Sequence, residues 1–321
     1  MHAWRAHEFG PPQCLRWEEV PAPPLNDGEV RLELRAAAVN FPDALFLAGT
    51  YQVKPTPPFV PGFEVAGVVV ESRAPSLPVG ARVAAMLPEG GYATHAVIVP
   101  PLVWKIPDAL SFVDAAAMTI TYQTGWFALH RRARLQPGEV LLVHAGAGGV
   151  GSAAIQLGKA AGARVIATAG GPEKAALTKL LGADLAIDYL AQDFVAEVQA
   201  ATDGRGADVI FDPVGGDVFD KSTKCIAFEG RLVVIGFTSG RIPQARANHL
   251  LVKNYAVVGL HWGLYNQRAP HLVAEAMAEL YRLRAEGKLA PLVEVVPLAE
   301  APDAMARVAG RASTGKLVLV P

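Results

Sequence analysis

The chain has 321 residues, 51% of them hydrophobic, with a formal charge of −1 and two cysteines. That length and apolar content provide for two domains with substantial cores, and no long run of one charge sign recruits nucleic acid or an anionic membrane. Cys14 and Cys225 can build neither a disulfide framework nor a cysteine-rich zinc site, no apolar stretch is long enough to span a bilayer, and Met1-His-Ala-Trp-Arg5 is not a secretion signal; a soluble, cytoplasmic protein is expected.

Residues 1 to about 105 read as strands. Val30, Leu32 and Leu34 alternate, 65–70 is an apolar run, and 93–99 follows a Gly90-Gly91 turn, with prolines between them; this is the pattern of a compact β unit with irregular loops. Ser111-x-x-Asp114 is a capping signal for a helix running toward Arg132, and Pro137-Gly138 closes that connection. From Val140 strands alternate with helices. The strands are predicted at 140–144, 164–169, 184–188, 207–212, 231–236 and 255–260, which makes a doubly wound parallel sheet. After Trp262 a long helix (about 267–287), a strand (292–297), a short helix and a strand (316–320) follow; too little to fold alone, they are expected to return to the N-terminal domain.

The strand at 140–144 runs into Gly146-x-Gly148-x-x-Gly151 and then a helix with Ala153, Ile155, Leu157 and Ala160 at helical spacing. The first glycine permits a tight turn, the second lets backbone approach a pyrophosphate, and the third lets helix pack on strand; Gly149 and Val150 start the helix whose N–H groups face the phosphates. An NAD site places Asp or Glu about 20 residues further on, to bind the ribose 2′-hydroxyl. Here that place holds Ala169, Gly170 and Gly171, with Lys174 just beyond and Glu173 in the first helical turn. The absence of a carboxylate that would repel a 2′-phosphate points to NADPH.

Six stretches in this order and spacing carry a resemblance: Ala38-Val-Asn-Phe-Pro-Asp43, Pro61-Gly-Phe-Glu-Val-Ala-Gly67, Thr121-Tyr-Gln-Thr124, His144-Ala-Gly-Ala-Gly-Gly-Val-Gly151, Phe211-Asp-Pro-Val-Gly-Gly216 and Gly230-Arg-Leu-Val-Val-Ile-Gly236. Over nearly its whole length the chain resembles the medium-chain dehydrogenase/reductases, specifically the zinc-free quinone oxidoreductase (zeta-crystallin-like) branch. The resemblance implies an α/β protein: a GroES-like β domain from both chain ends (1–118 and 262–321), a Rossmann domain between them (119–261), and a cleft for NADPH. Where zinc-containing relatives have Cys and Gly-His-Glu, this chain has Asn40 and Gly62-Phe63-Glu64. The four-cysteine zinc loop has no counterpart, and no histidine pair has ligand spacing, so no metal is expected.

Without a metal, hydride transfer relies on NADPH and on groups that orient an electron-poor acceptor. By the resemblance, Asn40 and Asp43 line the nicotinamide end; Asn40 is a candidate donor to the acceptor carbonyl or, alternatively, only ties its loop to backbone, while Asp43 supports from behind. Tyr51 matches a substrate-facing tyrosine and is a candidate proton donor, or else a turn aromatic packed on Pro55 and Pro57. Leu45 stands where the family often has tyrosine, which makes the substrate pocket more apolar. Thr124, and Tyr122 if it is not simply core, are expected at the nicotinamide ribose or phosphate. Lys174, Tyr189 and Arg311 match positions around the 2′-phosphate, and Gly215, Gly236 and Phe237 end later strands at the sheet's ligand-binding edge. The leading reading is an NADPH-dependent quinone reductase. The alternatives are reduction of an activated double bond (an enone, 2-alkenal or acrylyl- or enoyl-CoA) and a low-turnover NADPH-binding structural or regulatory protein. A homodimer is expected through an edge strand at 254–261.

Overall fold

The computed structural model describes all of residues 1–321. The chain divides into two compact units, Met1–Ile120 with Pro291–Pro321, and Thr121–Ala290.

The first unit opens with the antiparallel pair β1 (His2–Arg5) and β2 (Arg16–Glu19). Then come β3 (Val30–Ala38), α1 (Phe41–Leu47), β4 (Glu64–Ser72), β5 (Arg82–Met86), β6 (His95–Ile98), β7 (Val103–Lys105) and α2 (Phe112–Met118). On β3 the expected alternation holds: Val30, Leu32 and Leu34 are buried, and Arg31 and Glu33 between them reach toward solvent. The core gathers these residues with Phe46, Val65, Val69, Val83 and Leu87. Ser111 caps α2, its hydroxyl accepting from the Asp114 N–H at 3.0 Å.

The second unit holds α3 (Thr121–Trp126), β8 (Val140–Val143), α4 (Gly149–Ala160), β9 (Arg164–Ala169), α5 (Pro172–Leu180), β10 (Leu185–Asp188), α6 (Phe194–Ala201), β11 (Ala207–Asp212), α7 (Gly216–Ser222), β12 (Ile226–Val234), α8 (Ala247–Lys253), β13 (Ala256–Gly259), α9 (Gly263–Arg268) and α10 (Pro270–Ala285). Its six strands are parallel, in the order β10-β9-β8-β11-β12-β13. Strand order reverses at β8, and in such sheets ligands bind beyond the carboxyl ends of the strands at that switch point. All of β8 is buried, as its unbroken apolar run requires.

The chain returns to the first unit with β14 (Val293–Pro297), α11 (Ala301–Ala309) and β15 (Lys316–Val320); β15 pairs with β14 in parallel and with β3 antiparallel. The return comes at Pro291 and not at the expected 262. Residues 263–285 stay with the second unit because α10 buries Val273, Ala276, Met277, Leu280 and Leu283 and packs on α3, while the Tyr265 ring lies tilted against Phe127 with ring centroids 4.4 Å apart. Two helices also differ from expectation. The helix from Ser111 breaks between Met118 and Thr121, where the Ile120 N–H leaves the helical ladder for the Glu64 carboxylate, and ends in a π-helical turn over Phe127–Arg132. The helix predicted at 267–287 is two, divided at Ala269 by Pro270.

Candidate active site

The dinucleotide motif forms a cradle at the end of β8. Ala145 adopts a left-handed conformation (φ 51°), and the Gly146 N–H donates to the Thr168 carbonyl at 2.8 Å. A Cβ on Gly151 would overlap the Ala145 carbonyl oxygen, so only glycine lets α4 start this close to the turn. A Cβ on Gly148, by contrast, would meet nothing nearer than 3.4 Å. No side chain caps α4, so the N–H groups of Gly149, Val150 and Gly151 lack side-chain acceptors at its start. A pyrophosphate fits this cradle: backbone donors and the positive end of a twelve-residue helix.

Behind the cradle His144 is buried, with Nδ1 2.9 Å from the Thr168 hydroxyl and Nε2 2.8 Å from that of Ser222. Ser222 donates its proton to the Val218 carbonyl, so Nε2–H donates to Ser222 and Nδ1 accepts from Thr168. Burial pushes this neutral imidazole down to about 3.

β9 ends in Gly170 and Gly171 (φ 90°), and a Cβ on Gly170 would come within 2.7 Å of the Tyr189 hydroxyl. Gly170 and Tyr189 therefore meet at this edge, and Lys174 lies in the first turn of α5. One carboxylate here escaped the sequence reading. Asp188 Oδ1 accepts from the backbone N–H of Gly171 at 2.8 Å and of Leu190 at 3.0 Å, and so ties the two loops together. Beyond β11, Asp212 Oδ1 accepts from the Val214 and Gly215 N–H groups at 2.8 and 2.9 Å. Gly215 (φ 68°) lies against the Phe237 ring, where a Cβ would meet Cδ1 at 2.9 Å, and Gly236 follows the end of β12. Thr124 and Tyr122 are both buried on α3. Between them, fully buried Gln123 finds no protein partner for either end of its carboxamide, which suits a bound cofactor and which motif reading passed over.

In the first unit a polar network occupies the start of α1. Asn40 is the N-cap of α1, and its backbone N–H donates to Asp43 Oδ2 at 2.6 Å. Its carboxamide nitrogen donates to Glu64 Oε2 at 3.0 Å and to the Ala38 carbonyl at 3.3 Å. Its oxygen accepts from the Lys316 ammonium, which also pairs with Glu64 at 2.8 Å. Glu64 Oε1 accepts the Ile120 N–H at 2.5 Å, and the Tyr92 hydroxyl donates to Asp43 Oδ2 at 2.8 Å. Asn40, Asp43, Glu64, Tyr92 and Lys316 are all buried. Both amide hydrogens of Asn40 are thus committed within the protein, so in this arrangement it offers no N–H to an acceptor carbonyl. Burial pushes Asp43 up to about 7, against the opposing backbone bond from Asn40 and the bond from Tyr92. Tyr51 is half-buried against Phe63, ring centroids 6.0 Å apart; burial first, and then the charge of Asp43, raises its phenol. Arg311, in a left-handed conformation (φ 58°) after α11, belongs to the first unit, whereas Lys174 and Tyr189 belong to the second.

Zinc does not fit these residues. Phe63 packs edge-on against Phe46 at 5.0 Å, Asn40 is held as described, and no three His, Cys, Asp or Glu side chains group as metal ligands.

Residues 26–108 match the family described as alcohol dehydrogenase GroES-like domain, and residues 149–279 the family described as zinc-binding dehydrogenase. The quinone oxidoreductase-like protein 2 homolog of Nematostella vectensis is 40% identical over 319 residues, covering 98% of this chain and 87% of that one. Among solved structures, Escherichia coli quinone oxidoreductase complexed with NADPH superposes with a TM-score of 0.92 at 30% identity over 100% of both chains. The CurK enoyl reductase does so at 0.89 and 27% identity, over 99% of this chain and 98% of that one. With its GroES-like and Rossmann units and no donor set for zinc, the chain belongs to the zinc-free NADPH:quinone oxidoreductase family of the medium-chain dehydrogenase/reductases.

Proposed function

We propose that this protein is an NADPH-dependent reductase that transfers hydride to a quinone without a metal. The observation that carries the cofactor choice is the end of β9, where Gly170 and Gly171 stand in place of a ribose-binding carboxylate and Tyr189 and Lys174 supply a hydroxyl and a cation for a 2′-phosphate. The first turn of α4 binds the pyrophosphate, Thr124 and Gln123 serve the nicotinamide half, and Gly215, Gly236 and Phe237 shape the strand ends around it. NADPH supplies the hydride.

The acceptor's developing negative charge needs a donor, and with the Asn40 amide committed elsewhere that donor is Tyr51. Asn40 and Asp43 act from behind, by holding the start of α1 from which the Tyr51 turn hangs. A quinone suits this chemistry because the oxyanion it forms is delocalised, so no Lewis acid is required.

A second reading is reduction of an activated double bond. The likeness to the CurK enoyl reductase favours it, as does a half-buried tyrosine able to protonate an enolate. For a CoA thioester, Arg241 is poorly placed, since its guanidinium is already paired with Asp217 and Asp220.

The test is oxidation of NADPH with a small quinone and with a crotonyl-type enone in parallel, and with NADH as competitor cofactor. Faster quinone turnover with NADH poor is expected. A preference for the enone moves the function to double-bond reduction. Tight NADPH binding without turnover of either leaves a low-turnover binding protein.

A further inference from the structure

We propose that Lys316 is the positioning residue of this site: its buried ammonium locks Asn40 and Glu64 into one arrangement and thereby sets where Tyr51 stands. The proposal rests on the role given to Tyr51 above.

Three remote parts of the chain meet here. Lys316 begins β15, Asn40 follows β3 and Glu64 begins β4; the strand pairing of Val318 with Ala38 and of Ala38 with Glu64 brings their side chains together. The assignment of the Asn40 amide is unambiguous, because an ammonium only donates and a carboxylate only accepts: oxygen faces Lys316 and nitrogen faces Glu64. The side chains of Lys316 and Glu64 are 6% and 0% exposed. A buried charge this far from water persists only when it is paired and hydrogen-bonded.

The consequence travels along hydrogen bonds of the backbone. Asn40 stands at the N-cap of α1, a helix of only seven residues, and the backbone N–H of the residue so held donates to Asp43 Oδ2 at 2.6 Å to close the first turn. The Leu45 carbonyl of α1 then accepts both the Thr50 N–H, at 2.9 Å, and the Tyr51 N–H, at 3.2 Å. Lys316 therefore acts on Tyr51 through Asn40, the helix cap and the Leu45 carbonyl, and touches no reacting atom itself. Its charge also faces Asp43, whose other titratable neighbours are Tyr92, Glu64 and Tyr51; the Lys316 cation holds the Asp43 carboxyl lower than burial alone would.

Three chains test this: the wild type, K316M and E64Q/K316M. The double variant removes both charges and so avoids a lone buried carboxylate should K316M fail to fold. We expect about a hundredfold loss of kcat in both variants, the size of effect a small misplacement at a reacting centre produces, with the NADPH dissociation constant within about threefold of wild type. The melting temperature of E64Q/K316M should lie nearer wild type than that of K316M. A reading independent of turnover is the infrared band of the protonated Asp43 carboxyl, assigned with D43N and titrated with pH. In K316M its midpoint should move up from the wild-type position, because the cation that holds it down is gone while Glu64 remains. Recovery of wild-type kcat together with the melting temperature in E64Q/K316M, or an unmoved carboxyl midpoint in K316M, would overturn the proposal. If the wild type reduces neither quinone nor enone, the functional reading fails, while the infrared titration still decides whether Lys316 governs the network.

Discussion

At Gly151 a single hydrogen atom separates a working cradle from a blocked one. A methyl group there would press on the Ala145 carbonyl, which is backbone and cannot rotate away. Gly151→Ala should raise the NADPH dissociation constant at least tenfold and lower the melting temperature, as isothermal titration and calorimetry would record. Tyr51→Phe keeps the ring against Phe63 and removes the proton. A hundredfold or greater fall in kcat, with KM little changed, is expected if the phenol acts as acid, since general acids contribute about 10²–10⁴. Asp43 gives a pH signature. Its folded value near 7 lies above the ordinary 3.8, so the native state holds the extra proton. Stability from this group is complete below about 3.8 and is lost as pH rises through 7. D43N should remove that part of the decline in denaturation midpoint between pH 3.8 and about 7. The glycines, Tyr51 and Asp43 stood out in the sequence as candidates because each lies in a short motif that carries its chemistry locally. Glu64 and Lys316 were not read as partners: a charge next to an apolar strand looks like a surface residue until the strand opposite it is known, and Lys316 lies 276 residues beyond Asn40.

Among the elements, β8, β9 and β11 were predicted within a residue because each is a short apolar run between clear breaks. β12 begins earlier than expected, at Ile226, since left-handed Glu229 (φ 58°) and Gly230 interrupt its pattern without ending the strand. The break between α2 and α3 left no local trace because it is made by Glu64, 56 residues away. Such long-range causes are what periodicity cannot report. The turn from β9 into α5 carries the cofactor choice, and its prediction concerns selectivity. Lys174→Ala should raise KM for NADPH about tenfold and leave that for NADH nearly unchanged, because a charge-assisted bond to phosphate contributes about 1.5–3 kcal/mol and NADH lacks the 2′-phosphate.

At the scale of the whole molecule, β13 stands at the edge of the six-stranded sheet with β12 as its only partner. Its Val257 and Val258 are part-exposed, and an open apolar edge invites pairing with another strand. We expect a homodimer by light scattering, and V258K should give the monomer mass. No helix is long and apolar enough to cross a membrane. The division of the chain has a further meaning for how the protein is made. β15 follows the whole second unit in sequence yet closes the sheet of the first and delivers Lys316 to Asn40. During synthesis the nucleotide-binding unit can fold as it emerges, while the first unit waits with an open edge at β3 and an unpaired Glu64. The order of translation therefore makes the unit that opens the chain the last one to be completed.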